Sequence, residues 1–146
     1  LIGKNRRNGY IQALKDYNIP VSENNIIKCD TAEEAQIIVP ELFKRTRKPD
    51  GIFAVNDLTA AGAMRMVKLI GYRVPDDVSF VGFTSGMISD ITDPPLTSVE
   101  QHGYIVGKEA VRLLINHLES KEEIPYQTKV IKTELVIKGS TKRNIK

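Results

Sequence analysis

The 146-residue chain predicts an α/β domain built on a mostly parallel sheet with helices on both faces. Two observations carry that expectation. Segments with a helical 3.6-residue period alternate several times with short apolar runs of strand length. Those runs, Ile52-Phe53-Ala54-Val55 and Val78 to Phe83, are continuously apolar instead of alternating, as strands covered on both faces tend to be. Sheets of this kind bind ligands beyond the carboxyl ends of their strands, where the strand order switches. The positions to watch are therefore Asn56-Asp57 after the first run and Thr84-Ser85-Gly86 after the second.

The elements follow in order. A first helix is expected over about Asn5 to Tyr17, because Tyr10, Ala13, Leu14 and Tyr17 share one face, and Pro20 lies beyond its stop. Ile26-Ile27-Lys28-Cys29 reads as a short strand. Thr31 and Glu34 form a capping-box pair opening a second helix, with Ala35, Ile38, Val39, Leu42 and Phe43 on the helical period. Pro40 interrupts that period, so a kink or two abutting helices are expected. Pro49-Asp50-Gly51 is a turn before the first apolar run. Asn56-Asp57 then caps a helix from about Leu58 to Ile70, which Gly71 closes. After the second run, Leu96-Thr97-Ser98-Val99 precedes a long helix over about Gln101 to Leu118. Thr128 to Lys138 reads as one or two strands near a sheet edge.

Composition narrows the function classes. Hydrophobic residues make up 41% and charged residues 27%, an ordinary globular balance. The net charge of +3 is spread over dispersed clusters, chiefly Lys4 to Arg7, Lys44 to Lys48 and Lys142 to Lys146. No recognition element accompanies them, so nucleic-acid binding by this chain is not expected. A single cysteine, Cys29, leaves no internal disulfide or zinc cluster and fits a reducing cytoplasm. No apolar run reaches the ~20 residues that span a bilayer, and no secretory signal pattern opens the chain. Starting at Leu1, it reads as a fragment.

Enzymatic chemistry does not assemble. Gly82-Phe83-Thr84-Ser85-Gly86 has the outline of a nucleophile elbow, but Thr84 stands where the serine belongs. His102 and His117 lack an evident acid partner. No phosphate loop is present, and no metal or cofactor is expected.

Three stretches resemble regulators of the LacI/GalR family. The first is Arg6-Arg7-Asn8-Gly9-Tyr10 with Ala13-Leu14 behind it. The second runs from Pro49 through Asn56-Asp57 and Ala61-Gly62-Ala63-Met64 to Gly71-Tyr72-Arg73-Val74-Pro75-Asp76-Asp77-Val78-Ser79-Phe80-Val81-Gly82-Phe83. The third is Pro95-Leu96-Thr97-Ser98-Val99-Glu100-Gln101, followed by Gly107 and by Leu135 to Thr141. They cover almost the whole chain in order.

The resemblance implies one lobe of a periplasmic-binding-protein-like type I fold. The 146 residues would be the C-terminal subdomain of an effector-binding domain, with a first lobe and a helix-turn-helix outside this chain. A sugar or sugar-derived effector would lie between the lobes, and operator DNA would be read only by the helix-turn-helix. The implied effector contacts are Arg6, Asn56, Asp57, Thr84, Ser85 and Gln101. Arg6 can present a two-pronged donor to vicinal oxygens, and Asn56 both a donor and an acceptor. Asp57 is more a helix cap than a contact. Most relatives carry an aspartate where this chain has Thr84, and a hydroxyl accepts more weakly than a carboxylate. Either other groups take over that role or the effector is not a simple neutral sugar, and the lost charge favours an acidic sugar or a sugar phosphate. Tyr104, Val111, Leu114 and Leu118 form one apolar row of the last long helix, with Val106, Ala110 and Leu113 in a second. One row can cover the sheet, and the other needs a further cover, either the first lobe or a partner subunit. The family's dimers use this lobe, so the resemblance favours a homodimer interface. A periplasmic sugar-binding transport protein, which shares the fold, is the rival reading.

Overall fold

A computed structural model describes residues 2–120 and 122–141. The basic tail from Lys142 to Lys146 lies outside the described residues. The elements are α1 (Ile2–Asp16), α2 (Ala32–Phe43), β1 (Gly51–Phe53), α3 (Asp57–Leu69), β2 (Ser79–Thr84), α4 (Met87–Ile91), β3 (Thr97–Glu100), α5 (Gly103–Glu119) and β4 (Glu134–Val136). The strands form one sheet in the order β1-β2-β3-β4. Pairs β1–β2 and β2–β3 are parallel, and β4 closes the edge antiparallel to β3. The mostly parallel sheet flanked by helices is thus as expected.

Local chemistry explains the boundaries. Asn18 (φ 56°) and Gly71 (φ 94°) are both left-handed, just past α1 and α3. After α1, Asn18 N–H donates to Lys15 O and Ile19 N–H to Leu14 O; after α3, Gly71 N–H donates to Lys68 O and Tyr72 N–H to Val67 O. Each end is a Schellman closure satisfying the last carbonyls. At α2, Thr31 Oγ1 accepts from Glu34 N–H at 3.1 Å, and Glu34 Oε2 accepts from Asp30 N–H at 2.8 Å. The box therefore reaches one residue further back than its usual pattern.

The core lies between α2, α3 and one face of the sheet. Ala35, Val39 and Phe43 meet Ala60, Ala63, Met64 and Val67, with Val78, Phe80 and Leu96 beneath. The two helices touch at Gly62, where a Cβ would stand 2.8 Å from Ala32 Cα. The last described residues lock in at the amino ends of the strands. Phe80 N–H donates to Ser140 O, and the buried Ser140 hydroxyl donates back to Phe80 O at 2.7 Å.

Several expectations are corrected. Ile26 to Cys29 joins no ladder; the nearest regular element is a 3-10 turn over Glu23–Asn25. Of the two expectations at Pro40, a kink or two abutting helices, the second fails, because Pro40 sits inside one helix. Met87–Ile91 forms a short helix that periodicity did not suggest, being only five residues long. Along β2, residues alternate between buried and half-buried instead of being buried throughout. Phe80 and Gly82 face the core, whereas Val81 and Phe83 turn to the opposite face and are half-buried. Neither row of α5 is packed away; the helix has no buried residue.

Candidate functional site

Three chain segments leave the sheet at its carboxyl end and place the candidate residues. After β1 comes Asn56, after β2 Thr84 to Gly86, and after β3 Gln101. Arg6 joins them from the first turns of α1. Its guanidinium donates to Val55 O at 2.6 Å and lies over the Phe83 ring, 4.0 Å from the centroid. Phe83 points away from the core face, so the same strand that buries Gly82 against α3 offers an aromatic platform to α1. Gln101 Nε2 lies 3.5 Å from Thr84 Oγ1, at the limit of a hydrogen bond, and the Thr84 hydroxyl donates to Phe83 O.

Asn56 takes the capping role expected chiefly of Asp57. Asn56 is the N-cap of α3, its Oδ1 accepting from Thr59 N–H at 2.7 Å. Its Nδ2 donates to Asp30 O at 3.1 Å, so part of the hydrogen-bonding capacity foreseen for an effector is already used. Asp57, foreseen as the cap, is the first residue of the helix itself and turns inward. Its carboxylate accepts from Ser98 Oγ at 2.5 Å and from Gly86 N–H at 3.2 Å. Ser85 (φ 57°) also faces inward, its N–H donating to Ser98 Oγ at 3.0 Å.

A cleft of about 380 Å³ opens here, lined by Asp30, Thr31, Glu33, Asn56, Asp57, Leu58, Thr84, Gly86 and Ile88. Asn56, Asp57 and Thr84 thus share one wall. Arg6, Ser85 and Gln101 are not part of the lining, although Arg6 and Gln101 adjoin it through Val55 and Thr84. Asp30, Glu33 and Ser98 were missed. Asp30 follows the Ile26 to Cys29 run, so the rule that sites lie beyond apolar strands could have found it. Ser98, inside an apolar stretch, gave no such signal.

The wall contributed by α2 is acidic. Burial, then Glu34 and Asp30, push the neighbouring Cys29 thiol above its ordinary value. A slightly larger cleft of about 410 Å³ lies between Ala61, Met64, Arg65, Lys68, Leu69, Thr92 and Asp93. It sits along the second half of α3, away from the strand ends, so the smaller cleft is the better candidate. Among the described residues no group of three His, Cys, Asp or Glu could hold a metal ion.

The comparison with known families agrees with this geometry. The model of the periplasmic binding protein-like domain matches residues 2–141. The chain is 33% identical over 138 residues to the transcriptional repressor CytR of Escherichia coli K12, covering 94% of this chain and 40% of that protein. The chain belongs to the LacI/GalR-type effector-binding domains of the periplasmic binding protein-like family. Among solved structures, a LacI-type transcriptional regulator of Bacillus cereus subsp. cytotoxis superposes with a TM-score of 0.85 at 29% identity, covering 95% of this chain and 49% of that one. A CelR–cellobiose complex superposes at 0.81 with 30% identity, covering 92% of this chain and 41% of the regulator. The LacI/GalR-type chain therefore spans about two-fifths of the length of the curated relative it matches. The relatives named are regulators of transcription and not enzymes. No helix among the described residues is long and apolar enough to cross a membrane.

Proposed function

We propose that this LacI/GalR-type domain is the effector-sensing part of a cytoplasmic transcriptional regulator, forming one wall of a cleft that takes a sugar or sugar-derived molecule. The observation that carries the reading is the convergence of Arg6, Asn56, Thr84 and Gln101 at the carboxyl ends of three adjacent strands, beside a cleft of about 380 Å³. The cellobiose complex of a relative 30% identical supports the sugar class. The 146 residues act as the C-terminal subdomain, and a first lobe supplies the opposite wall. Operator DNA is read by a helix-turn-helix that this chain does not contain. The regulators among its relatives favour this reading over a periplasmic transport protein.

Thr84 in place of a carboxylate suggested an anionic effector. The lining argues the other way. Asp30 and Glu33 face the cleft, and the Gly86 N–H that could have met an anion is held by Asp57. Burying an anion beside like charges is unfavourable, so a neutral sugar fits better than an acidic sugar or a sugar phosphate.

The test is a thermal-shift screen of neutral sugars, uronic acids and sugar phosphates on this domain joined to its first lobe. A ligand at 100 times its Kd adds about 2.7 kcal/mol, several degrees for a domain of this size. A neutral sugar is expected to raise Tm, and Arg6→Ala to remove the shift by freeing Val55 O and uncovering Phe83. A shift from sugar phosphates alone overturns the neutral assignment, and no shift from any sugar overturns the sensor reading.

A further inference from the structure

Asp57 belongs to the Asn-Asp pair beyond β1, yet its carboxylate serves the protein and not the cleft mouth. The residue is only 4% exposed. Ser98 Oγ donates to Asp57 Oδ1 at 2.5 Å, and Gly86 N–H donates to Asp57 Oδ2 at 3.2 Å. The Ser98 hydroxyl, fully buried, accepts in turn from Ser85 N–H at 3.0 Å. Two successive loop amides are thereby tied to α3 and β3 through one carboxylate and one hydroxyl.

The surroundings are shaped for that carboxylate. A Cβ on Gly82 would stand 2.3 Å from Asp57 Oδ1 and 2.8 Å from Leu96 Cδ2, so only glycine in β2 leaves it room. Asp57 also lies in the first turn of α3, where the helix dipole favours a negative group. The restraint matters because Ser85 is left-handed at φ 57°, a conformation that a residue with a Cβ leaves unless its surroundings hold it. Ser85 directly follows Thr84, which lines the cleft.

We propose that Asp57, acting through Ser98, is a positioning residue of the cleft: it fixes the left-handed Ser85 turn and thereby sets where Thr84 meets a ligand. The proposal rests on reading the cleft as the effector site. It assigns the aspartate a role through the loop in place of direct contact.

The test is site-resolved amide hydrogen exchange on the 146-residue chain, with Ser98→Ala and Asp57→Ala variants. In the unmodified chain, the Ser85 and Gly86 amides should exchange at least ten times slower than unstructured amides, although both lie in a loop. Ser98→Ala should speed up the Ser85 amide, which loses its acceptor, and Asp57→Ala both amides, each at least tenfold. The amides of Phe80, bonded to Ser140 O, and Ala54, bonded to Val81 O, should keep their protection. A role in general stability predicts instead that all four amides speed up together. That result overturns the proposal, as does unprotected Ser85 and Gly86 in the unmodified chain, or unchanged exchange in a folded variant. No ligand enters the measurement, so failure to find a sugar and failure of the relay remain separate outcomes.

Discussion

Gly82 shows how much a single missing methyl can decide. Its Cα faces Asp57 and Leu96 so closely that a Cβ would fall 2.3 Å and 2.8 Å from them. Asp57 has no room to yield without breaking its bonds to Ser98 and Gly86, and Leu96 is fully buried. Gly82→Ala should therefore cost about 1–3 kcal/mol as overpacking, read as a lower urea midpoint at unchanged slope. A midpoint equal to the parent's would mean that the carboxylate can move aside. The sequence marks Asn56 and Asp57 as a capping pair beyond a strand, but not that Asn56 is the cap and Asp57 turns inward. Both residue types cap helices, and only the three-dimensional position of Ser98, 41 residues downstream of Asp57, draws the Asp57 carboxylate inward.

Caps and closures were legible because they are local. Thr31 with Glu34, and Gly71 past α3, each satisfy orphan groups within a few residues. Thr31→Ala removes the acceptor for Glu34 N–H at an exposed helix start and should cost ~1 kcal/mol, seen as a Tm drop of a few degrees in thermal unfolding. A drop below half a degree would show that the Glu34 bond to Asp30 N–H alone holds the terminus. Strands were less legible, since pairing depends on partners distant in sequence. Ile26 to Cys29 has the composition of a strand but no neighbour in the ladder, whereas Glu134–Val136, inside the stretch expected near a sheet edge, pairs with β3 through Ser98–Val136 and Val99–Leu135. The short α4 escaped because five residues hold barely more than one helical period.

The two faces of the sheet are unequal, and that bears on assembly. One is sealed by α2 and α3 with a continuous core, while α5 buries nothing. Tyr104 is 84% exposed, Val111 55%, Leu114 58% and Leu118 75%, so the row expected at a dimer interface is open. This agrees with either expected cover, a second copy or the first lobe, and we propose the second copy. Covering a large apolar side chain contributes about 1.5–3 kcal/mol, so four from each copy, eight in a symmetric dimer, give at most about 12–24 kcal/mol. Association itself costs on the order of 4–15 kcal/mol, which offsets much of that gain. The α5 row then supports a concentration-dependent dimer. Sedimentation velocity over a dilution series should show the chain passing from dimer to monomer. Val111→Glu with Leu118→Glu should leave monomer throughout, because two carboxylates would be desolvated against apolar neighbours. A dimer that survives both substitutions would place the contact elsewhere. A parent chain that stays monomeric at every concentration would assign the α5 row to the first lobe.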